Sequence, residues 1–283
     1  HYGKTPPCTK LIIKKKIKEV FYSVEDIDKK VKGKSFKILS SKNIVVKKGL
    51  LKKEVSNFYS TYFFNRINKS PYVTGKIATS KNNIIYSKKT KKITNNNSDK
   101  LTHFLRYKND SIMISYKTLN KDNPKLNCRI VGLKKFSPKR IILDNKLDTK
   151  KNSYIFNTAN KKNTIIFYNE ANKKNIILFK KKGIQLIKSN LTKKKYFDLK
   201  LVLNKLYKIG IRNILVEGGD DLSGSFLQKK LFNQFYLFKS AKILNKSLPY
   251  KDFNHHKYLI HNYRTKSKIN KKLNTDTITL YKN

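Results

Sequence analysis

The stretch Asn213-Ile214-Leu215-Val216-Glu217-Gly218-Gly219-Asp220-Asp221 decides the fold. Its apolar run reads as a short buried strand, and residues 220–231 read as a short helix. Paired glycines between the two let a ligand approach the backbone, and the helix start offers N–H groups to a phosphate. In an open α/β sheet, ligands bind at such carboxyl ends of strands. Asp220 and Asp221 fit the capping role at the helix start, with Ser223 and Ser225 in the first turn. A Gly-Gly pair taken alone is equally an ordinary strand-to-helix turn.

Working outward, Leu199, Val202, Leu203, Leu206 and Ile209 recur at helical spacing, closed by Gly210. Residues 235–238 read as the next strand. Upstream, residues 72–78, 111–115, 140–144, 164–167 and 176–179 read as strands, and 97–107 as a helix. Residues 118–129 are placed on a loop after the strand 111–115, with Asp122-Asn123-Pro124 as its turn former. This alternation predicts an α/β sheet covered on both faces. Ahead of it come a short helix, a strand over 19–24, an apolar patch at Ile44-Val45-Val46, and a helical stretch over 51–64. The polar connector 65–71 is the predicted domain boundary, dividing the chain into 1–68 and 69–283. Some 65 residues bury little by themselves, so the first segment reads as part of a larger unit.

The formal charge is +49, from 66 basic and 17 acidic residues, which raises the question of nucleic acid. Only six of the basic residues are Arg, whereas phosphate and base recognition favours that side chain. The lysines are spread along the chain among abundant Asn and Ile, the mark of A/T-rich codons rather than of a binding stripe. The expectation is no nucleic-acid function, though the charge draws anionic ligands inward. Lysines interrupt every apolar run, so no membrane span is predicted. Cys8 and Cys128 form no disulfide framework, and the expected setting is a reduced cytoplasm. Met113 is the only methionine, which places the expected natural start upstream of His1. The five histidines show no metal-ligand spacing, and the adjacent His255 and His256 read as exposed polar residues.

Taken together, these stretches resemble the bifunctional deaminase/reductase family of riboflavin biosynthesis, N-terminally truncated. Gly3-Lys4-Thr5-Pro6-Pro7-Cys8 resembles the second half of its zinc signature. The resemblance implies that Cys8 is the last zinc ligand, and that the other ligands and the proton-shuttling Glu precede His1. The first segment is then the C-terminal part of a cytidine-deaminase-like α/β domain. Zinc belongs only to the complete domain, and this chain is expected neither to deaminate nor to hold zinc tightly.

From Pro71 onward the chain resembles the family's reductase domain, whose implied fold is dihydrofolate-reductase-like. The stretch 71–80 resembles its first strand, with Ala78 implied at the cofactor. Thr90 is implied at the substrate, and Lys92, standing where the family has Trp, at the cofactor. Arg106 matches an Arg for the substrate phosphate. Residues 118–129 resemble Thr-x-x-x-Asp-x-Pro-x-Leu-x-x-Arg. That implies cofactor contacts for Thr118 and Asp122 and substrate contacts for Leu126 and Arg129. Asn145 falls near another cofactor position. Glu217 is implied at the substrate, and Gly219, Asp220, Asp221, Leu222, Ser223, Gly224 and Ser225 at the cofactor phosphates.

The implied reaction is hydride transfer from NADPH to C1′ of a ring-opened phosphoribosylaminopyrimidine, in a homodimer, with Asp122 handling a proton. Two other readings remain at this point. One is a similar NADPH reductase acting on a pterin or other pyrimidine, and the other is a non-catalytic, lysine-rich RNA-binding protein.

Overall fold

In the computed structural model the described residues are 6–28, 31–88, 90, 92–247, 249–269 and 275–282. Gly3, Lys4 and Thr5 of the zinc-signature resemblance lie outside them. The chain divides into two compact units, His1–Ser70 and Pro71–Asn283.

The first unit runs α1 (Cys8–Lys14), β1 (Glu19–Tyr22), α2 (Lys34–Ser40), β2 (Val45–Lys48), α3 (Lys52–Phe58) and α4 (Ser60–Asn68). β1 and β2 pair in parallel as a sheet of two strands. Among its described residues only Leu39 and Ile44 are buried hydrophobics, while Phe58 is 80% exposed. The helical stretch expected over 51–64 is two helices that meet at Tyr59, and the second runs on to Asn68. The expected connector is therefore largely helical. Only Lys69, in the left-handed region, and Ser70, whose carbonyl accepts from Asn65 Nδ2 at 2.8 Å, lead out to Pro71.

The second unit opens with β3 (Tyr72–Thr79), β4 (Ile84–Ser87), α5 (Asn96–Lys108), β5 (Ser111–Ser115) and α6 (Tyr116–Asp122). It continues through β6 (Lys139–Leu143), α7 (Tyr154–Asn157), β7 (Thr164–Tyr168), α8 (Lys173–Lys181), β8 (Gln185–Lys188) and α9 (Leu199–Lys208). It closes with β9 (Asn213–Val216), α10 (Asp220–Gln228), β10 (Gln234–Lys239), β11 (Tyr250–Asp252), α11 (His256–Asn262), β12 (Thr265–Lys268) and β13 (Thr277–Lys282). A nine-stranded sheet has the order β12-β13-β10-β3-β9-β5-β6-β7-β8. It is parallel from β10 to β8, with β12 and β13 joined antiparallel at one edge.

Its strands are apolar on both faces, as a helix-covered parallel sheet requires. Met113, Ile141, Ile165, Ile214 and Val216 enter one core with α9 and α10. Their alternates Ile112, Ile114, Ile142, Ile166 and Leu215 enter the other, with Leu105 of α5 and Phe179 of α8.

Two local expectations are overturned. Residues 176–179 belong to helix α8, because Asn172 caps it by accepting from Asn175 N at 2.7 Å. The true strand β8 follows Gly183, whose φ is 78°. Four apolar residues carry no period, so only the cap and the glycine could have distinguished the two. Thr118 to Asp122 likewise lie on α6 rather than a loop, since Ser115 Oγ accepts from Thr118 N at 3.3 Å and starts a helix. The loop proper begins at Asn123 with φ 41°.

Candidate active site

β3 and β9 lie side by side at the middle of the sheet, and β5 flanks β9. Their carboxyl ends open into a cavity of about 800 Å³. Ligand sites of this kind span roughly 300–1,000 Å³. Lys76 and Ala78 come from β3, Thr118 and Asp122 from α6, and Glu217 to Leu222 from the turn after β9 and the start of α10. β4 and β11, an antiparallel pair, supply Tyr86, Tyr250 and Lys251.

Glu217 faces Arg106 of α5 in a two-pronged ion pair, Nε to Oε1 at 2.7 Å and Nη2 to Oε2 at 2.8 Å. Both side chains are 12% exposed. The guanidinium holds the Glu217 carboxyl below its ordinary pKa, against burial, with Lys76 helping. Lys76 has its Nζ 4.9 Å from the centroid of the Phe238 ring. Burial lowers the pKa of its ammonium; Glu217 opposes that shift and Arg106 adds to it. Arg106 also donates through Nη1 to the Asn127 carbonyl at 3.2 Å, which His103 Nδ1 meets at 3.1 Å. Burial and the two arginines, 106 and 129, depress the His103 pKa. Asp122 is exposed at the end of α6 where it lines the cavity, yet desolvation by the protein around it raises its carboxyl above the ordinary value, while Lys121 and Lys251 pull it back.

Of the residues expected at the site, Ala78, Lys92, Thr118, Asp122, Glu217, Gly219, Asp220, Asp221 and Leu222 line this one cavity. Lys92 is paired there with Asp99 at 2.6 Å. The others stand apart from it. Ser223 and Gly224 are turned inward on α10, Ser223 toward the Gly218 carbonyl and Gly224 against the His255 ring. Ser225 Oγ donates to the Asp221 carbonyl at 2.8 Å. Leu126, 3% exposed, belongs to the core. Thr90 forms a bridge with Ser87 at the end of β4, and Arg129 is exposed. Asn145 follows β6, its Oδ1 buried and without a hydrogen bond. Arg106, expected to grip a phosphate, has its fork on Glu217 and Asn127. Cys8 lies in the first unit, and no cluster of three or more His, Cys, Asp or Glu able to hold a metal exists among the described residues.

The expected capping by Asp220 and Asp221 is also corrected. Gly219 occupies the cap position, and the Asp220 carboxylate instead accepts from Asn254 and His255. His255 is thus a partner rather than the exposed polar residue expected, its side chain 22% exposed.

Lys76 is the residue the motifs did not single out. Its signal was present in the sequence, because a lysine inside a strand that is otherwise apolar or neutral contradicts the ordinary burial pattern.

The arrangement suits a dinucleotide. A Cβ on Gly219 would meet nothing within 4 Å, so the backbone there borders open cavity, while a Cβ on Gly218 would come 2.8 Å from Leu222 Cβ. The first residues of α10, Asp220 to Leu222, line the cavity beside it. No helix among the described residues is long and apolar enough to cross a membrane.

The RibD C-terminal domain family matches residues 71–247. The riboflavin biosynthesis protein RibD of Aquifex aeolicus (strain VF5) is 31% identical over 256 residues, covering 88% of this chain and 68% of that protein. Its counterpart in Bacillus amyloliquefaciens is 30% identical over 250 residues, covering 88% and 66%. The chain thus spans about two thirds of the length of the curated relatives it matches. Among solved structures, Acinetobacter baumannii RibD superposes with a TM-score of 0.80 at 22% identity, over 99% of this chain and 77% of that one. The diaminohydroxyphosphoribosylaminopyrimidine deaminase/5-amino-6-(5-phosphoribosylamino)uracil reductase of Thermotoga maritima gives 0.79 at 25% identity, over 100% and 76%. The fold is thus that of the dihydrofolate-reductase-like RibD reductases, and the chain belongs to the RibD family, with residues 71–247 as its C-terminal domain.

Proposed function

We propose that this chain is the reductase of riboflavin biosynthesis, converting 5-amino-6-(5-phosphoribosylamino)uracil to its ribitylamino product with NADPH, as a cytoplasmic homodimer. The observation that carries the reading is the charged floor of Lys76 and Glu217, the latter held by Arg106, beside the open Gly219 backbone. NADPH, when bound, supplies the hydride that adds to C1′ of the opened ribosyl group.

The protein's part is binding, orientation and proton handling. Gly219 and the first turn of α10 would hold the cofactor phosphates, and Ala78 and Thr118 line the same cavity. Opening the ribosyl ring breaks C1′–O4′ and leaves O4′ needing one proton. Asp122, whose carboxyl is raised by desolvation, is suited to deliver it. Lys76 lines the same cavity, where Glu217 opposes the burial that lowers the pKa of its ammonium. Arg106 acts through Glu217, leaving the exposed Arg129 as the guanidinium available for the substrate phosphate.

The test is steady-state NADPH oxidation with the deaminated phosphoribosylaminouracil, against a dihydropterin and an unphosphorylated ribosyl analogue. Turnover of the phosphorylated pyrimidine alone is the expected result. Equal turnover of the pterin would overturn the assignment.

A further inference from the structure

Asp220 poses a conflict at the site. It is the first residue of α10 and lines the cavity, where a carboxylate competes with a phosphate for the same helix end. The structure holds that carboxylate elsewhere. Its Oδ1 accepts from Asn254 N at 3.0 Å, His255 N at 3.3 Å and His255 Nδ1 at 2.9 Å, and its Oδ2 from Asn254 Nδ2 at 3.3 Å. The His255 ring is itself seated in a fitted place. A Cβ on Gly224 would lie 2.4 Å from it, so only glycine in the second turn of α10 admits the ring so close. Its outer side stacks on Tyr258, with centroids 5.9 Å apart and planes 23° from parallel.

We propose that His255 is a positioning residue for the cofactor: its ring nitrogen helps to fix the Asp220 carboxylate on the 254–255 segment. The N-terminal amides of α10 are thereby left to the cofactor phosphates. Gly224 belongs to the same device. The proposal rests on the functional reading above, and its departure from a packing role is electrostatic. Removing the His255 ring takes away the shortest of the four contacts that hold the carboxylate back, and whatever that loosens toward the phosphates is repaired by removing the carboxylate as well. A packing defect would not be repaired in this way.

The experiment uses the full chain carrying His255→Leu, which fills the ring's space without donating, Asp220→Asn, and both together. His255→Asn keeps a donor near the Nδ1 position and serves as the conservative variant. Binding of NADPH and, separately, of inorganic pyrophosphate is measured by calorimetric titration, with a thermal melt for each protein. His255→Leu is expected to weaken both ligands roughly fivefold. Asp220→Asn should bind at least as well as the parent, and the double variant should return close to Asp220→Asn. His255→Asn should stay near the parent. Unchanged affinity in His255→Leu overturns the proposal, as does a double variant no better than His255→Leu. Should His255→Leu fail to fold, a fivefold loss in His255→Asn at an unchanged melting temperature also overturns it. Pyrophosphate binding with this mutational pattern but no NADPH binding would sink the functional reading and leave the His255 device standing. Parent protein that binds neither ligand would sink both.

Discussion

Glu217→Gln tests the charged floor most directly. The substitution keeps shape and one acceptor but removes the negative charge between Arg106, at 2.7 and 2.8 Å, and Lys76. Arg106 then loses its partner with little access to water, since it is only 12% exposed, and Lys76 loses the charge that opposes its pKa shift. Breaking a buried pair from one side costs about 3–5 kcal/mol. In a domain of this size each kcal/mol lowers Tm by roughly 2–4 °C, so a fall on the order of 10 °C is expected.

The effect has a definite pH signature. Glu217 titrates below its ordinary value of 4.5, so its contribution is present above that pH and lost as pH falls through the depressed pKa. The Tm gap between parent and variant should therefore narrow below about pH 4.5. Activity should respond at the other end. Without Glu217 the Lys76 pKa drops further, and the alkaline limb of kcat/KM moves to lower pH. The assays are calorimetric melts across pH and steady-state NADPH oxidation. An alkaline limb that stays in place would refute the assignment of Lys76, and a Tm gap constant down to pH 3 would refute the ion pair's energetic role.

Asp122→Asn should lower kcat by about 100-fold with little change in Tm, whereas a fully active variant would reduce Asp122 to a helix-end residue. Arg129→Ala should raise KM for the phosphorylated substrate about tenfold and leave KM for NADPH alone; equal effects on both would remove it from phosphate binding. Gly75→Ala drives a methyl to 2.3 Å from the Phe235 ring and 2.7 Å from a second atom of it, so a loss of about 1–3 kcal/mol is expected in denaturant unfolding. An undiminished midpoint would show that the Phe235 ring yields without cost. Elemental analysis of the purified chain should find no stoichiometric zinc, because Cys8 has no partner ligands among the described residues; one zinc per chain would contradict this.

What the sequence disclosed followed its local signals. The Asn213–Val216 strand, the glycine turn and α9 with its Gly210 stop were legible because period, apolar run and cap agree there. Asp122 and Glu217, 95 positions apart, come to one site in the sequence only through the resemblance, and both line the cavity. β4 and β11 were invisible for a different reason. Ile84–Ser87 and Tyr250–Asp252 are too short to show alternation, and neither is a strand without the other. The commitment of Arg106 to Glu217 was hidden because a guanidinium reads as free until its partner, 111 positions away, is located. His255 reads as exposed from its position near the C-terminus, since nothing local announces a bond to Asp220 35 positions before it.

The neighbours of β3 carry a consequence for how the molecule comes into being. β3 ends at Thr79, but it pairs with β9, which begins at Asn213, and with β10, which begins at Gln234. During synthesis the strand bearing Lys76 therefore emerges long before either neighbour exists. β5, β6 and β7, sequential and adjacent, can assemble meanwhile from contacts of shorter span. Lys76 and Glu217 meet only when β9 is inserted between β3 and β5, so the charged floor is among the last parts to close. Until then β3 is an apolar strand with both edges open, the species most exposed to misassociation on the ribosome.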